Sequence, residues 1–172
     1  MPDAPAAGAS IQLPTVEDTR AEGRRLARIL RPGDLVVLTG PLGAGKTAYA
    51  QGVGSGLGVR GEVTSPTFVI ARVHPPDRGS VPMVHVDAYR LGGADDPIGE
   101  LDDLDLDAEM AGSITLVEWG EGLVERLVDA HLQVRIDRHD GEARTVTYVP
   151  SGGDWAQRLA QAGRNIVAGA TT

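Results

Sequence analysis

Two stretches of the chain are apolar without alternation. Leu35-Val36-Val37-Leu38 is one, and Ile114-Thr-Leu-Val117, ending on Glu118, is the other. Such runs predict parallel strands buried on both faces, the first over Asp34–Thr39 and the second over Ile114–Glu118. Elsewhere the polarity alternates. Leu132–Ile136 and Arg144–Val149 flank the turn Asp140-Gly141 and read as a hairpin. Phe68–His74 and Val81–Asp87, joined by a Pro/Asp/Gly/Ser loop, read as another, and Ile11–Val16 as a short strand. Helical spacing appears over Asp18–Leu30, with Leu26, Ile29 and Leu30 inward and Pro32-Gly33 closing it. A second helix is predicted from Lys46 to Gly58. Gly52, Gly54 and Gly56 within it each cost up to about 1 kcal/mol relative to alanine, so close packing or backbone movement must compensate. A third starts after Asp154 and sets Trp155, Leu159, Ala162 and Ile166 on one side. The interleaving predicts an α/β fold, a mostly parallel central sheet with antiparallel hairpin additions. Residues 1–10 are expected to form a flexible segment, 11–150 one domain, and 151–172 a helix and tail packed on that domain.

Composition narrows the function. A chain of 172 residues, 41% hydrophobic, supports one domain with a real core. No apolar run approaches the roughly 20 residues that cross a bilayer, and Met1–Ser10 lacks the basic start and apolar centre of a secretion signal, so a cytoplasmic protein with no membrane role is expected. With no cysteine, disulfides, thiolate metal sites and cysteine nucleophiles are excluded, and any metal must be held by oxygen or imidazole. The net charge of -8 argues against a chain that grips nucleic acid alone. Arg20, Arg24, Arg28 and Arg31 nevertheless recur at helical spacing, either as a solvated helix face or as a contact for RNA or an acidic partner. The acidic stretch Asp95–Glu109 includes Asp103-x-Asp105-x-Asp107. A calcium loop fails there, because Ala108 stands where glycine is needed and Ile114 where the bidentate glutamate belongs, leaving a solvated loop with a short helix.

The strongest motif follows the first apolar run. Gly40-Pro41-Leu42-Gly43-Ala44-Gly45-Lys46-Thr47 has the spacing of a phosphate-binding loop, in which glycines let backbone N–H groups approach phosphate oxygens. Lys46 brings a charge to the outer phosphates, the Thr47 hydroxyl suits Mg2+, and the helix N-terminus adds its partial positive charge. A nucleoside triphosphate is the expected ligand and a P-loop NTPase-like three-layer sandwich the expected architecture. The nearby GVGSGLG is no dinucleotide fingerprint, since its third glycine falls on Leu57.

A phosphate loop needs a carboxylate to orient the metal and a group to position the nucleophile. Asp87 and Glu118, each ending a strand, are the candidates; the sequence does not decide which serves the metal and which the water. Thr64, Ser65 and Thr67 lie on a proline-stiffened loop suited to sensing a γ-phosphate, or form a plain turn. His85 is a base, or more simply a packed or hydrogen-bonded histidine. Trp119 stacks on a base or partner, or packs in the core. Tyr89 and Arg90 would follow Asp87 into the crevice, the arginine toward phosphate.

Taken together, the phosphate loop, Thr64-Ser-Pro-Thr-Phe68, His85-Val-Asp-Ala-Tyr-Arg-Leu91 and Glu118-Trp119 resemble the TsaE (YjeE) family of bacterial ATPases over Leu13–Val149. The resemblance implies ATP hydrolysis that drives or resets a complex with TsaD and TsaB, making N6-threonylcarbamoyladenosine (t6A37) in tRNAs that read codons beginning with A. tRNA would be met only within that complex. By matching motif, Thr47 and Glu118 would hold Mg2+, Asp87 would support hydrolysis, Thr64–Phe68 would respond to nucleotide, Trp119 would influence activity, and Pro14-Thr15 would lie near the adenine. Phe68, Ala88 and Gly120 depart from the family pattern without removing a ligand atom. A GTPase is disfavoured because the sole asparagine is Asn165. A small-molecule kinase and a nucleotide-sensing adaptor are the competing readings.

Overall fold

The computed structural model describes residues 10–64, 71–88, 110–119 and 128–169, with side chains as far as 162. Strand β1 (Ile11–Leu13) stops at Pro14, shorter than the expected Ile11–Val16. Helix α1 (Val16–Ala27) starts two residues earlier than expected, because Thr15 and Asp18 form a reciprocal capping box. It also ends early. The amides of Arg28, Ile29 and Leu30 turn onto the carbonyls of Arg25, Leu26 and Ala27, tightening the last turn. Strand β2 (Leu35–Thr39) leads into the phosphate loop, and helix α2 (Lys46–Leu57) leaves it to end on a left-handed Gly58. Strands β3 (Ala71–His74) and β4 (Met83–Asp87) form the first hairpin. After β5 (Ile114–Glu118) come β6 (His131–Arg138) and β7 (Arg144–Ser151), the second hairpin, and then helix α3 (Trp155–Gly169).

The seven strands form one sheet in the order β1-β7-β6-β2-β5-β4-β3. Its four central strands, β6-β2-β5-β4, run parallel, and the outer pairings are antiparallel. This is the α/β architecture expected from the sequence. Both apolar runs are buried along their whole length. One sheet face packs Val36, Leu38 and Leu116 against Leu26 of α1, Tyr49 and Val53 of α2, and Trp155 and Leu159 of α3. The opposite face gathers Leu35, Val37, Val84, Val86 and Val117, with Met110 against them. Successive side chains of a strand point to opposite faces, which is why two separate clusters arise from the same strands.

The glycines of α2 are explained by close packing. A Cβ on Gly52 would lie 2.9 Å from Arg20 Cα, and one on Gly56 would lie 2.6 Å from Ala27 Cβ. Across the crossing, a Cβ on Gly23 would meet Val53 N at 2.9 Å. The two helix backbones touch along this seam, and dispersion over it offsets the low helix propensity of glycine.

Helix α3 joins the core through Trp155 and Leu159, while its Arg158 reaches the start of β2. Arg158 donates to Asp34 Oδ1 at 3.1 Å and to Oδ2 at 2.6 Å, and also to the Ile29 carbonyl. Side chains from residue 163 onward, including Ile166, lie outside the described residues, as does most of the expected N-terminal segment 1–10. Ser10 is its exception, its hydroxyl 3.1 Å from that of Thr147. No helix among the described residues is long and apolar enough to cross a membrane.

Candidate functional site

The site assembles where the parallel strands end. Thr39 closes β2, and the chain then rises through Gly40–Gly45 before α2 begins at Lys46. Gly45, immediately before the helix, has φ 99°, a conformation that side chains with a Cβ resist. Within the loop the Ala44 amide bonds to the Pro41 carbonyl at 3.0 Å. Leu42 at the tip is 85% exposed. Lys46 folds back into the loop, its ammonium donating to the Gly40 carbonyl at 2.7 Å and the Pro41 carbonyl at 3.2 Å. That charge is therefore held at the loop's centre. Thr47, half-buried, follows on the first turn of α2.

An arginine absent from the sequence-based site braces this loop from behind. Arg144, the first residue of β7, donates from Nε to the Ala44 carbonyl at 2.8 Å and from NH2 to the Gly43 carbonyl at 3.2 Å. Its NH1 donates to the carbonyls of Gly141 and Ala143, tying the hairpin turn to the same guanidinium. The C=O and the following N–H of a trans peptide point in opposite directions, so drawing two loop carbonyls toward Arg144 turns the next amides away from it. Nothing in the local sequence marks Arg144. Its position follows from the β6–β7 register, in which it faces Arg138.

The two candidate carboxylates come together. Asp87 of β4 and Glu118 of β5 are register partners at the ends of adjacent parallel strands, and Leu38 of β2 flanks Glu118 on the other side. Both are buried, at 9% and 3% exposure. His85 lies on the same face as Asp87 and is fully buried, with its Nε2 2.8 Å from Glu118 Oε2. Of its two sequence readings, the hydrogen-bonded one describes it. Trp119, next along, adopts φ 61°, a left-handed conformation costly for a bulky side chain. Its ring sits over Lys46 Nζ, 3.8 Å from the centroid, and is partly exposed, so core packing does not describe it.

Other sequence candidates lie further out. Thr15 spends its hydroxyl on the α1 cap, accepting from the Asp18 amide at 3.1 Å. Thr64 is exposed and accepts from Arg72 NH1 at 3.4 Å. Ser65, Thr67, Tyr89 and Arg90, and the acidic stretch Asp95–Glu109, lie outside the described residues. In the arginine stripe, Arg20 and Arg24 pair with Glu17 at 3.6 and 2.8 Å, and Arg31 pairs with Asp154 at 3.0 Å. The hydrogen bond from Arg24 holds the Glu17 carboxyl below its ordinary value. These pairings favour the solvated helix face.

Behind α2, Tyr49 and Tyr148 hydroxyls meet at 2.8 Å, and Tyr148 donates to Glu22 Oε1 at 2.8 Å. Burial pushes both phenols well above their ordinary value, so they remain neutral donors. The network ties α1, α2 and β7 together beneath the phosphate loop.

A family model described as threonylcarbamoyl adenosine biosynthesis protein TsaE matches residues 13–146. A Streptomyces coelicolor protein described as tRNA threonylcarbamoyladenosine biosynthesis protein TsaE is 57% identical over 141 residues, 80% of this chain and 93% of that protein. The proteins of the same description from Mycobacterium tuberculosis and Bacillus subtilis are 53% and 36% identical, covering 76% and 79% of this chain and 80% and 82% of theirs. Among solved structures, Bacillus subtilis YdiB superposes with a TM-score of 0.70 at 30% identity, covering 91% of this chain and 94% of its own.

Proposed function

The chain belongs to the TsaE family of tRNA threonylcarbamoyladenosine biosynthesis proteins, and we propose that it is a Mg2+-dependent ATPase acting with TsaD and TsaB in the cytoplasm. In this reading residues 11–150 form the ATPase domain, with 151–172 packed on it. The observation that carries it is the convergence on one sheet edge of a braced phosphate loop, a centred Lys46 and two adjoining buried carboxylates.

Amides of Gly43 to Thr47 cradle the phosphates of ATP, and Lys46 stays among them as a fixed positive charge on the outer oxygens. The Thr47 hydroxyl and the Glu118 carboxylate would hold Mg2+. These are the hard oxygen donors that Mg2+ selects, and it commonly uses one or two carboxylates together with substrate phosphates. When bound, the ion neutralises charge on the transferring phosphoryl group. Asp87, beside Glu118, orients the attacking water and accepts its proton. Thr15 lies toward the adenine, Thr64, Ser65 and Thr67 respond to the γ-phosphate, and Tyr89, Arg90 and Trp119 modulate turnover. Hydrolysis drives or resets the complex that makes N6-threonylcarbamoyladenosine, and tRNA is met only inside that complex.

Phosphate release measured with and without TsaD and TsaB tests the reading. Slow hydrolysis by the chain alone and faster turnover with the pair are expected. Lys46→Ala should abolish hydrolysis, and Glu118→Ala should weaken its Mg2+ dependence. Acceleration by free sugars or nucleosides that become phosphorylated, with no response to the pair, would establish a small-molecule kinase instead.

A further inference from the structure

Strand β4 presents His85 and Asp87 on one face, opposite Leu116 and Glu118 of β5. His85 is therefore two register pairs deeper than the carboxylates, on the same face and below the site. It is completely buried, and Glu118 nearly so, with His85 Nε2 and Glu118 Oε2 at 2.8 Å. The other ring nitrogen, Nδ1, is buried and has no hydrogen-bond partner among the described residues. A buried N–H left unpaired is rarer and costlier than a bare acceptor lone pair. A neutral ring carrying its proton on Nε2 satisfies the geometry, and that tautomer makes His85 the donor and Glu118 the acceptor.

We propose that His85 is a positioning residue: by binding Oε2 it fixes the rotamer of Glu118 and leaves Oε1 as the oxygen offered to the metal site. A glutamate has three side-chain torsions, and a carboxylate held at one oxygen loses the freedom to rotate its other oxygen away. Partners that orient ligating groups in this manner influence metal affinity by about 10–100-fold. The arrangement uses a motif histidine that has no part in ATP binding or proton transfer in the function proposed above. The inference rests on the assignment of Glu118 to Mg2+ in that function.

The test is Mn2+ binding, followed by electron paramagnetic resonance, to the full chain with a non-hydrolysable ATP analogue. His85→Leu keeps the apolar surroundings and removes the donor; His85→Gln returns an N–H near the Nε2 position. Mn2+ affinity is expected to fall about tenfold or more in His85→Leu and to recover largely in His85→Gln. Analogue affinity without metal should change less than about twofold, within ordinary context variation. Unchanged Mn2+ affinity in His85→Leu, or equal loss of metal and metal-free analogue binding, would overturn the positioning role. Glu118→Ala separates the two readings. If it spares Mn2+ binding, the metal assignment itself fails; if it removes Mn2+ binding while His85→Leu does not, only the inference fails. Nitrogen-15 histidine spectra of the unmutated protein give a check independent of folding, with the Nε2–H tautomer of His85 expected and the Nδ1–H tautomer contradicting the proposal.

Discussion

Lys46 Nζ lies 3.8 Å from the centroid of the Trp119 ring, so the lysine of the phosphate loop and the residue after Glu118 form a cation–π pair. Trp119 holds this position at φ 61°, a conformation costing about 1–3 kcal/mol, against about 0.5–2 kcal/mol from the pair. The indole therefore reports on the phosphate site. The other tryptophan, Trp155, is buried on α3 beneath Arg158. Adding ATP should change the intrinsic emission, and Trp119→Phe should remove that response while leaving the Trp155 signal. A nucleotide response that survives Trp119→Phe would refute this.

Arg144 contacts four backbone carbonyls, two of them in the phosphate loop. Removing it leaves those carbonyls without their charged donor and frees the loop. Arg144→Ala is expected to weaken ATP binding by about 1–2 kcal/mol, roughly tenfold in Kd, measured by calorimetric titration. Arg144→Lys should recover little, because an ammonium cannot span carbonyls that a planar guanidinium bridges.

The α1–α2 seam makes Gly52 intolerant of growth. Its Cβ would meet the Arg20 backbone, with Arg20 Cα at 2.9 Å. Gly52→Ala should destabilise the fold by about 1–3 kcal/mol, lowering the melting temperature by several degrees. Gly112 is the contrasting site, with no described residue within 4 Å of the added atom. Gly112→Ala should be neutral or stabilising by about 0.4–1 kcal/mol. Calorimetry of the two variants compares them directly.

Acid should weaken the fold through His74. Burial, with the positive charge of Arg72 adding to it, holds the His74 imidazole below its ordinary value, and a hydrogen bond to the Arg60 backbone opposes this. Its Nε2 is buried and has no partner among the described residues. Below the ordinary histidine value of about 6.5, the unfolded chain takes up this proton before the folded one does. Stability that is full above that pH is therefore lost as the pH falls toward the lower native value. Melting temperatures taken between about pH 7.5 and 5.5 should fall more steeply for the natural chain than for His74→Asn.

The strand framework was legible because unalternating apolar runs have few other uses, and the phosphate loop because its glycine and lysine spacing answers a single geometric demand. The sequence places the start of α1 at Asp18 rather than Val16, since Thr15 reads equally well as the end of a strand until its cap with Asp18 is seen. Glycines in α2 hinted at close packing without naming α1 as the partner. His85 and Arg144 were beyond local pattern for a common reason. Their contacts depend on registers between distant segments, β4 against β5 and β7 beside the loop, which no window of sequence contains. Asp87 and Glu118 could be nominated as strand ends, yet their adjacency required the same register.

The strand that delivers the phosphate loop takes both its neighbours from much later in the chain, Leu35 facing Thr115 and Val36 facing Leu132. Asp34, the residue just before it, waits longer still, for Arg158. While a ribosome is synthesising the first third of the polypeptide, the glycine loop thus exists as sequence without a scaffold. The capacity to grip a triphosphate arrives late in translation, when long-range pairing closes the sheet around it.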